Sequence, residues 1–386
     1  PNMKTPYGHL SYCSNIHTGE IWTEHFAQLQ AHVPAVKAQV SPDERMGLGL
    51  RFANQASIDL QDSARISELK TWLKEQNLYV FTLNGFPYGG FHNTIVKDQV
   101  HAPDWTTTER RDYTIRLAHI LAQLLEENEG GISTSPLSYR YWYNTEKERE
   151  DAMLKSTQHL LEVVEVLDQI AKKTGKVIHI DIEPEPDGLL SNHTEFVHWY
   201  EEVLLPSGDA SLIRKHVQLC FDICHYGVSF DEPETSIAEL KSKNIPVGKI
   251  QISSALRIDL RDQEEAKIDE LKKYREPVYL HQVKALRKDG SYQEFKDLDV
   301  AFAAYTPNTY DEWRVHFHVP LFLETYGLLG STQKEIRETL EIQKASPFTN
   351  HLEIETYTWG VLPATYQVPM AESISREIKT ITDLLG

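Results

Sequence analysis

The chain has 386 residues, a hydrophobic content of 40% and a formal net charge of −18, which together indicate a globular protein with a large core. The acidic balance disfavours non-specific binding to nucleic acid or anionic membranes, and no run approaches the roughly 18 apolar residues of a membrane span. The first ten residues carry no apolar signal segment and the three cysteines show no disulfide spacing, so we expect a cytoplasmic protein with reduced thiols.

Short β-rich runs alternate with amphipathic helical stretches along most of the chain, and this pattern predicts parallel βαβ units. In chain order, the predicted strands cover residues 9–15, 46–52, 78–84, 131–135, 177–183, 217–222, 247–253 and 351–356. Eight strands with intervening helices predict an α/β fold, a (β/α)8 TIM barrel, with residues 1–386 as a single domain.

The predicted helices have recognisable ends. Thr106 and Glu109 form a capping-box pattern ahead of a helix predicted over residues 113–125. A longer helix, predicted over residues 151–173, has apolar side chains at helical spacing and ends before Gly175. Helices of this kind cover the outside of a barrel.

One stretch breaks the alternation. Residues 255–323, between the seventh and eighth strands, are far longer than an ordinary βα connection. They contain β-rich runs at 277–285 and 314–319, with a turn signal at 288–290. We therefore predict an insertion that carries a small β element on the catalytic face of the barrel.

Three predicted strands end in acids, and the active sites of such barrels lie at the carboxyl ends of the strands. The fifth strand ends at Glu183, with Glu185 following between two prolines. The sixth ends at Asp222, three residues before His225, and the eighth carries Glu355 near its tip. Converging carboxylates repel one another unless a cation neutralises them or they share protons, and a metal is the more economical solution. These residue types predict a divalent metal cofactor, Mn²⁺, Zn²⁺, Mg²⁺ or Co²⁺.

These strand ends resemble the metal sites of two known families. Residues 183–186, Glu-Pro-Glu-Pro, resemble the Glu-Pro-Lys-Pro of xylose isomerases, whose first glutamate binds metal. Residues 221–225 resemble the Asp-Thr-Cys-His of endonuclease IV, and residues 352–356 resemble that family's final strand, which supplies a metal-binding glutamate. The resemblance implies a xylose isomerase-like barrel with these metal ligands: Glu183, Asp222, His225 and Glu355.

A closer resemblance is to the bacterial EboE proteins, called metabolite traffic proteins, of the same superfamily. Segments at 12–17, 84–89, 315–320 and 355–359 resemble signatures of that family and are spread over nearly the whole chain. The family's name records genetic context. The resemblance therefore implies a small-molecule metabolite as the partner, in a biosynthesis or export pathway, and no established reaction.

Two positions depart from these relatives. Glu185 stands where xylose isomerases use a lysine on the substrate, and Gln251 stands where related enzymes place a His or Asp ligand. The insertion offers replacements in His281 and in the alternating pair His316 and His318, whose side chains share one face of a strand. We predict His281 and His318 as further metal ligands, and Glu185, Gln251 and His316 as substrate contacts.

Other polar or aromatic residues near predicted strand ends are candidates for substrate contact. The aromatic residues of the loop over 85–90 are predicted to wall an apolar pocket beside them. The candidate contacts are Asn15, His17, Asn84, His92 and Trp359.

The leading functional hypothesis is metal-dependent isomerisation or epimerisation of a sugar-like or polyol metabolite. In this scheme Glu183 and Glu355 are catalytic, because one removes a proton from carbon and the other returns one beside a metal-stabilised enediolate. A second hypothesis is phosphodiester hydrolysis as in endonuclease IV, which the net charge and the lack of a basic stretch weaken. The third is a non-catalytic, metal-containing metabolite binding or traffic protein. Nucleic acid and membranes are not expected as partners, and the oligomeric state stays open.

Overall fold

The computed structural model describes residues 3–89, 97–277, 279–355 and 369–386. The strands in these residues are β1 Lys4–Thr5, β2 Gly8–Cys13, β3 Met46–Gly49, β4 Leu78–Tyr79, β5 Thr82–Asn84, β6 Glu129–Thr134, β7 Val177–Ile182, β8 Val217–Asp222, β9 Val247–Ile252, β10 Ser254–Asp259, β11 Val283–Arg287, β12 Tyr292–Phe295, β13 Tyr310–Val319, β14 Thr325–Tyr326, β15 Leu329–Ser331 and β16 His351–Ile354. The α-helices are α1 Trp22–Val40, α2 Asn54–Asp59, α3 Ser63–Glu75, α4 Thr108–Leu124, α5 Glu146–Thr174, α6 His193–Trp199, α7 Ala210–His216, α8 Ile223–Val228, α9 Pro233–Ser242, α10 Glu264–Leu271, α11 Leu298–Ala304, α12 Gln333–Ala345 and α13 Met370–Leu385. Within these ranges no helix combines the length and the apolar character that a membrane crossing requires.

The larger sheet closes into a parallel barrel. Its hydrogen-bonded order is β4-β3-β2-β16-β9-β8-β7-β6-β5, and β4 and β5 are successive segments of one strand, interrupted at residues 80–81. The order thus begins and ends on the same stretch of chain. A backbone hydrogen bond of 2.7 Å from Asn84 N to Leu50 O completes the closure. This arrangement of eight strand positions with helices between them is an α/β, TIM-barrel-like fold.

Local sequence explains where the covering helices begin and end. The Thr145 hydroxyl accepts a hydrogen bond from Glu148 N at the start of α5, and the helix ends at Gly175, whose φ of +74° favours glycine. Helix α4 begins at Thr108, five residues before the predicted start at 113, and its predicted cap was wrong by one residue. Thr107, rather than Thr106, caps it by accepting from Arg110 N, because Thr106 donates its hydroxyl hydrogen to Asp104.

The barrel interior is polar at mid-height. Lys249 on β9 and Glu353 on β16 are almost completely buried, and Lys249 Nζ lies 2.9 Å from Glu353 Oε1. Ser11 Oγ donates to the other carboxylate oxygen at 3.1 Å, and Lys249 also donates to Thr82 Oγ1 at 3.2 Å. Gly49 makes the room for this group, since a Cβ there would lie 1.6 Å from Glu353 Oε2. The ion pair therefore depends on a glycine on β3, which is separated from β16 in the sheet by β2.

A second, antiparallel sheet is formed by residues 254–331, between β9 and β16 in sequence. Its order is β12-β11-β13-β10-β15-β14. The β11–β12 hairpin turns through Gly290, whose φ is +87°, at the position of the predicted turn signal. The sheet packs on its own apolar cluster, which includes Leu256, Trp313 and Phe317. Its central strand, β13, covers the β-rich run predicted at 314–319.

Candidate metal centre

A pocket opens at the carboxyl ends of the barrel strands, where they face the second sheet. Its cavity volume is about 110 Å³, which is room for several waters or a small polar metabolite. The barrel side of its lining includes Asn15, Asn84, Glu183, Glu185, His225 and Glu355. The side formed by β13 and the segment before β11 includes Tyr279, His281, Gln282, His316 and His318.

Three carboxylates meet at the base of this pocket. Glu183 follows β7, Asp222 ends β8 and Glu355 follows β16, so the barrel topology alone brings them to one place. The Asp222 side chain is fully buried and contacts both glutamates. Burial and the neighbouring Asp222 raise the pKa of Glu183 and of Glu355 well above the usual range. Although burial opposes it, the nearby His225 and His318 and the Asp222 hydrogen bonds keep the pKa of that aspartate below its usual value.

The carboxylates are only partly satisfied by protein groups. Asp222 Oδ1 accepts hydrogen bonds from Ser253 Oγ at 2.7 Å and from His225 N at 3.1 Å, as the N-cap of α8. Asp222 Oδ2 and Glu355 Oε2 are buried, and neither accepts a hydrogen bond from any residue that the structure describes. Unpartnered carboxylate oxygens in a buried site are costly unless a cation lies among them. The residues present therefore fit a divalent metal.

Two imidazoles from different sheets face each other beside the carboxylates. Nε2 of His225 lies 3.1 Å from Nε2 of His316. Each ring has a carbonyl oxygen next to Nδ1, Pro184 O at 3.1 Å from His225 and Gln282 Oε1 at 2.7 Å from His316, so the neutral form of each ring carries its proton on Nδ1. Both Nε2 atoms then present lone pairs to each other. A cation between them removes that repulsion.

Glu185 extends the cluster. Its Oε2 lies 3.6 Å from His225 Nε2, and its Oε1 lies 3.1 Å from Nε2 of His101. Ligand atoms on tetrahedral zinc are about 3.4 Å apart, and the 3.1 Å and 3.6 Å separations around His225 bracket that value. Sets of possible ligand atoms within 4.8 Å of one another overlap here: Glu183, Asp222 and His225; Glu185, His225 and His316; and Cys224, His316 and His318.

Most of the residues predicted as site residues line this pocket, with Asp222 directly behind it. His318 lines it with its ring centre 6.1 Å from that of His225, and burial lowers the pKa of His318 to about 3, so the ring is neutral. His281 also lines it, but its ring nitrogens contact Glu276 Oε1 at 2.6 Å and His316 O at 3.0 Å. Because both nitrogens are engaged, the structure places His281 as a support for β13 rather than beside the carboxylates.

Other predicted contacts lie elsewhere. His17 is buried behind the pocket, with Nε2 3.1 Å from Tyr12 Oη and its ring stacked on His32 at 5.2 Å. Gln251 lies inside the barrel on β9, where its Cα is paired with those of Asp222 and Glu353, and it does not reach the pocket lining. His92 and Trp359 lie outside the described residues.

Two further residues, His101 and Lys97, line the pocket. His101 ends a short turn at Lys97–His101, and its buried ring packs against Phe86 and Tyr139. Lys97 Nζ donates to Asp297 Oδ2 at 3.0 Å and to Tyr279 O at 3.1 Å. No periodicity marks this turn, so only the folded chain brings His101 to Glu185.

No protein-family profile matches the sequence, and no curated protein matches it. Solved structures do match its fold. The IOLI protein with a bound zinc atom aligns with 97% of this chain and 97% of its own, at 12% identity and a TM-score of 0.52. A xylose isomerase domain protein from Planctomyces limnophilus aligns with 97% of this chain and 95% of its own, at 10% identity and a TM-score of 0.49. At such identities the likeness is one of fold, and this chain has the α/β barrel fold of the zinc-bound IOLI protein.

Proposed function

We propose that the protein is a divalent-metal-dependent isomerase or epimerase of a small sugar-like or polyol metabolite, of the xylose isomerase-like kind. One observation carries the proposal, namely that Glu183, Asp222 and Glu355 converge on a pocket with buried carboxylate oxygens that accept no hydrogen bond from the residues that the structure describes. His225 supplies an imidazole at the same place. A carboxylate and imidazole set of this kind suits Mn²⁺, Zn²⁺ or Co²⁺.

In this proposal a bound ion and two acidic side chains would have different tasks in the reaction. A bound divalent ion would act as a Lewis acid for a hydroxy-ketone, stabilising negative charge on its oxygens. Glu183 and Glu355 come from strands β7 and β16, which are not neighbours in the sheet, so the two carboxyl groups approach a substrate from different sides. Burial and Asp222 raise the pKa of both groups, and in this scheme one group would accept the proton from carbon and the other would return it.

In this proposal the second sheet is an insertion in the barrel, and it covers the pocket. Gln282 accepts a hydrogen bond from His316 and so orients that ring toward His225. Lys97 ties the loop after β5 to the same sheet through Asp297. These contacts hold the second sheet over the pocket beside the proposed metal centre. Membership of the EboE family, a cytoplasmic location and a single-domain organisation belong to this proposal as well.

A second candidate function is hydrolysis of a phosphodiester. It is favoured by the overlapping ligand sets that share His225, because paired metals are typical of phosphoryl hydrolases. The net charge of −18 argues against a long nucleic acid as the substrate.

The test begins with metal analysis of the purified protein, followed by loading with Mn²⁺, Zn²⁺, Co²⁺ or Mg²⁺. Proton exchange from D₂O into a panel of ketoses and inososes is then followed by NMR. We expect exchange with at least one substrate, and its loss in Asp222→Asn. Asp231→Asn is the control, because Asp231 is a half-buried acid that accepts a hydrogen bond from His193 N and does not line the pocket.

The outcomes separate the candidate functions. An absence of exchange across the panel, with cleavage of abasic duplex DNA or of a simple phosphodiester, would replace the isomerase by the hydrolase. A metabolite that copurifies and is never turned over would make the protein a metal-containing carrier.

A further inference from the structure

The amino-terminal end of the barrel holds a separate group of possible ligands. Glu129 begins β6, His179 lies within β7 and His351 begins β16. Glu129 Oε2 lies 3.5 Å from Nε2 of His179 and 3.5 Å from Nε2 of His351. The separation of about 3.4 Å expected between two ligands on a tetrahedral ion matches both distances.

The surroundings of these groups are those of metal ligands. His179 Nδ1 lies 2.5 Å from Asp181 Oδ1, and this contact directs Nε2 toward Glu129. Asn350 Nδ2 donates to Glu129 Oε1 at 3.1 Å and leaves Oε2 to face the two rings. A carboxylate on the remote nitrogen of a histidine is the usual support of a zinc-bound imidazole.

The two histidines are built into the barrel rather than lying on its surface. His179 is 1% exposed and His351 is 2% exposed, and their rings stack with centres 5.8 Å apart. His179 Nε2 is buried and makes no hydrogen bond of standard geometry with any described residue, since Glu129 Oε2 lies 3.5 Å away, at the long limit of one. Gly131 leaves the space for this arrangement, because a Cβ there would lie 2.4 Å from Asp181 Oδ2.

An ion could reach this place from solvent. A pocket on the amino-terminal face is lined by Lys4, His9, Glu127, Glu129, Asn350 and His351. The Glu129 side chain is 37% exposed and borders this pocket, so the ligand set is accessible on one side. A water from this pocket would complete four-coordination.

We propose that Glu129, His179 and His351 form a second binding site, for a divalent transition-metal ion such as Zn²⁺, at the end of the barrel opposite the candidate metal centre. The site joins β6 and β7 to β16, which is separated from them in the sheet by β8 and β9. The ion links strands across the barrel mouth. Because this end of a TIM barrel generally serves stability, the site has a structural role.

The experiment isolates this site by removing the other one. In Asp222→Asn/Glu355→Gln, the bound Zn²⁺ or Co²⁺ is measured by elemental analysis after dialysis, and Co²⁺ by its visible absorption. We expect about one equivalent of metal in this variant and its loss when Glu129→Gln is added. Glu127→Gln, which lines the same pocket but pairs with Arg45, should leave the metal in place.

Two results would overturn the proposal. The double variant could bind no metal, or it could bind the same amount of metal with and without Glu129→Gln. In either case His179 and Glu129 share a proton instead of an ion. Should the double variant fold poorly, Glu129→Gln in the otherwise unaltered protein gives the same decision, because it should lower the metal content by one equivalent. If the proposed enzymatic function is wrong, the dependence of the metal content on Glu129 can still be measured, because the two sites share no residues.

Discussion

Ser253 Oγ lies 2.7 Å from Asp222 Oδ1 and donates a hydrogen bond that fixes the carboxylate with Oδ2 toward the pocket. Ser253→Ala should therefore weaken metal binding at the candidate centre by about 10- to 100-fold, the usual effect of losing a group that orients a ligand. Competition with a chromogenic chelator measures the affinity. Ser254→Ala is the control, because the buried Ser254 hydroxyl makes no hydrogen bond within the described residues. Equal affinities of the two variants would contradict the assigned role.

Gln282 accepts the Nδ1 proton of His316 at 2.7 Å and so presents Nε2 to His225. Gln282→Leu should free that ring and lower metal affinity by about tenfold, whereas Gln282→Glu should retain it, because a carboxylate accepts the same proton. Gln293→Leu removes a different side-chain acceptor of the second sheet, the partner of Tyr310, and should leave affinity unchanged. A loss in Gln282→Glu as large as in Gln282→Leu would refute this orientation of His316.

The Lys249–Glu353 pair should dominate the stability of the barrel interior. Lys249→Met leaves a buried carboxylate without its cation and should lower the free energy of unfolding by about 3–5 kcal/mol. Adding Glu353→Gln should recover part of the loss, since no charge then remains buried. Lys243→Met breaks a half-exposed pair with Glu201 and should cost at most about 1 kcal/mol. Urea unfolding compares the variants, and a double variant less stable than Lys249→Met would contradict the pairing.

Glu377 on α13 should make stability depend on pH. Burial raises its pKa well above 4.5, although Leu321 N donates to Oε1 at 3.1 Å, and Oε2 is buried without a partner among the described residues. Above pH 4.5 the unfolded chain releases this proton while the folded chain retains it, so folding becomes less favourable as pH rises. Glu377→Gln should have no effect near pH 4 and should raise the free energy of unfolding by on the order of 1–3 kcal/mol at pH 8.

Thermal unfolding across this pH range checks the prediction. Glu372→Gln, an exposed position on the same helix, serves as the control. A stabilisation by Glu377→Gln that stays constant between pH 4 and pH 8 would show that the carboxyl group is not the source of the effect.

The barrel and the three converging carboxylates could be predicted from sequence for one physical reason. Parallel strands buried on both faces are short apolar runs, and their carboxyl ends meet at one rim of the barrel. An acid at the end of such a run is therefore expected at that rim. The observed strands accordingly begin and end within three residues of the predicted ones, and Glu183, Asp222 and Glu355 meet.

Other features depend on contacts that linear patterns do not contain. The engagement of His281 by Glu276 and the approach of His101 to Glu185 follow from the packing of irregular segments. The group of Glu129, His179 and His351 joins three strands through their register, and a histidine in an apolar run gives no sign of what it will face. The choice of Thr107 over Thr106 as a cap likewise turned on a neighbouring Asp104.

Strand β16 and the residue after it carry His351, Glu353 and Glu355 at alternate positions, all directed into the barrel, and each serves a different level of it. A one-residue insertion or deletion at the start of this strand would turn all three side chains outward together. We therefore expect evolutionary drift in this segment to proceed by substitution alone, with length changes confined to the loops on either side. Among distant relatives, the two-residue spacing of these three positions should therefore vary less than the residue types that occupy them.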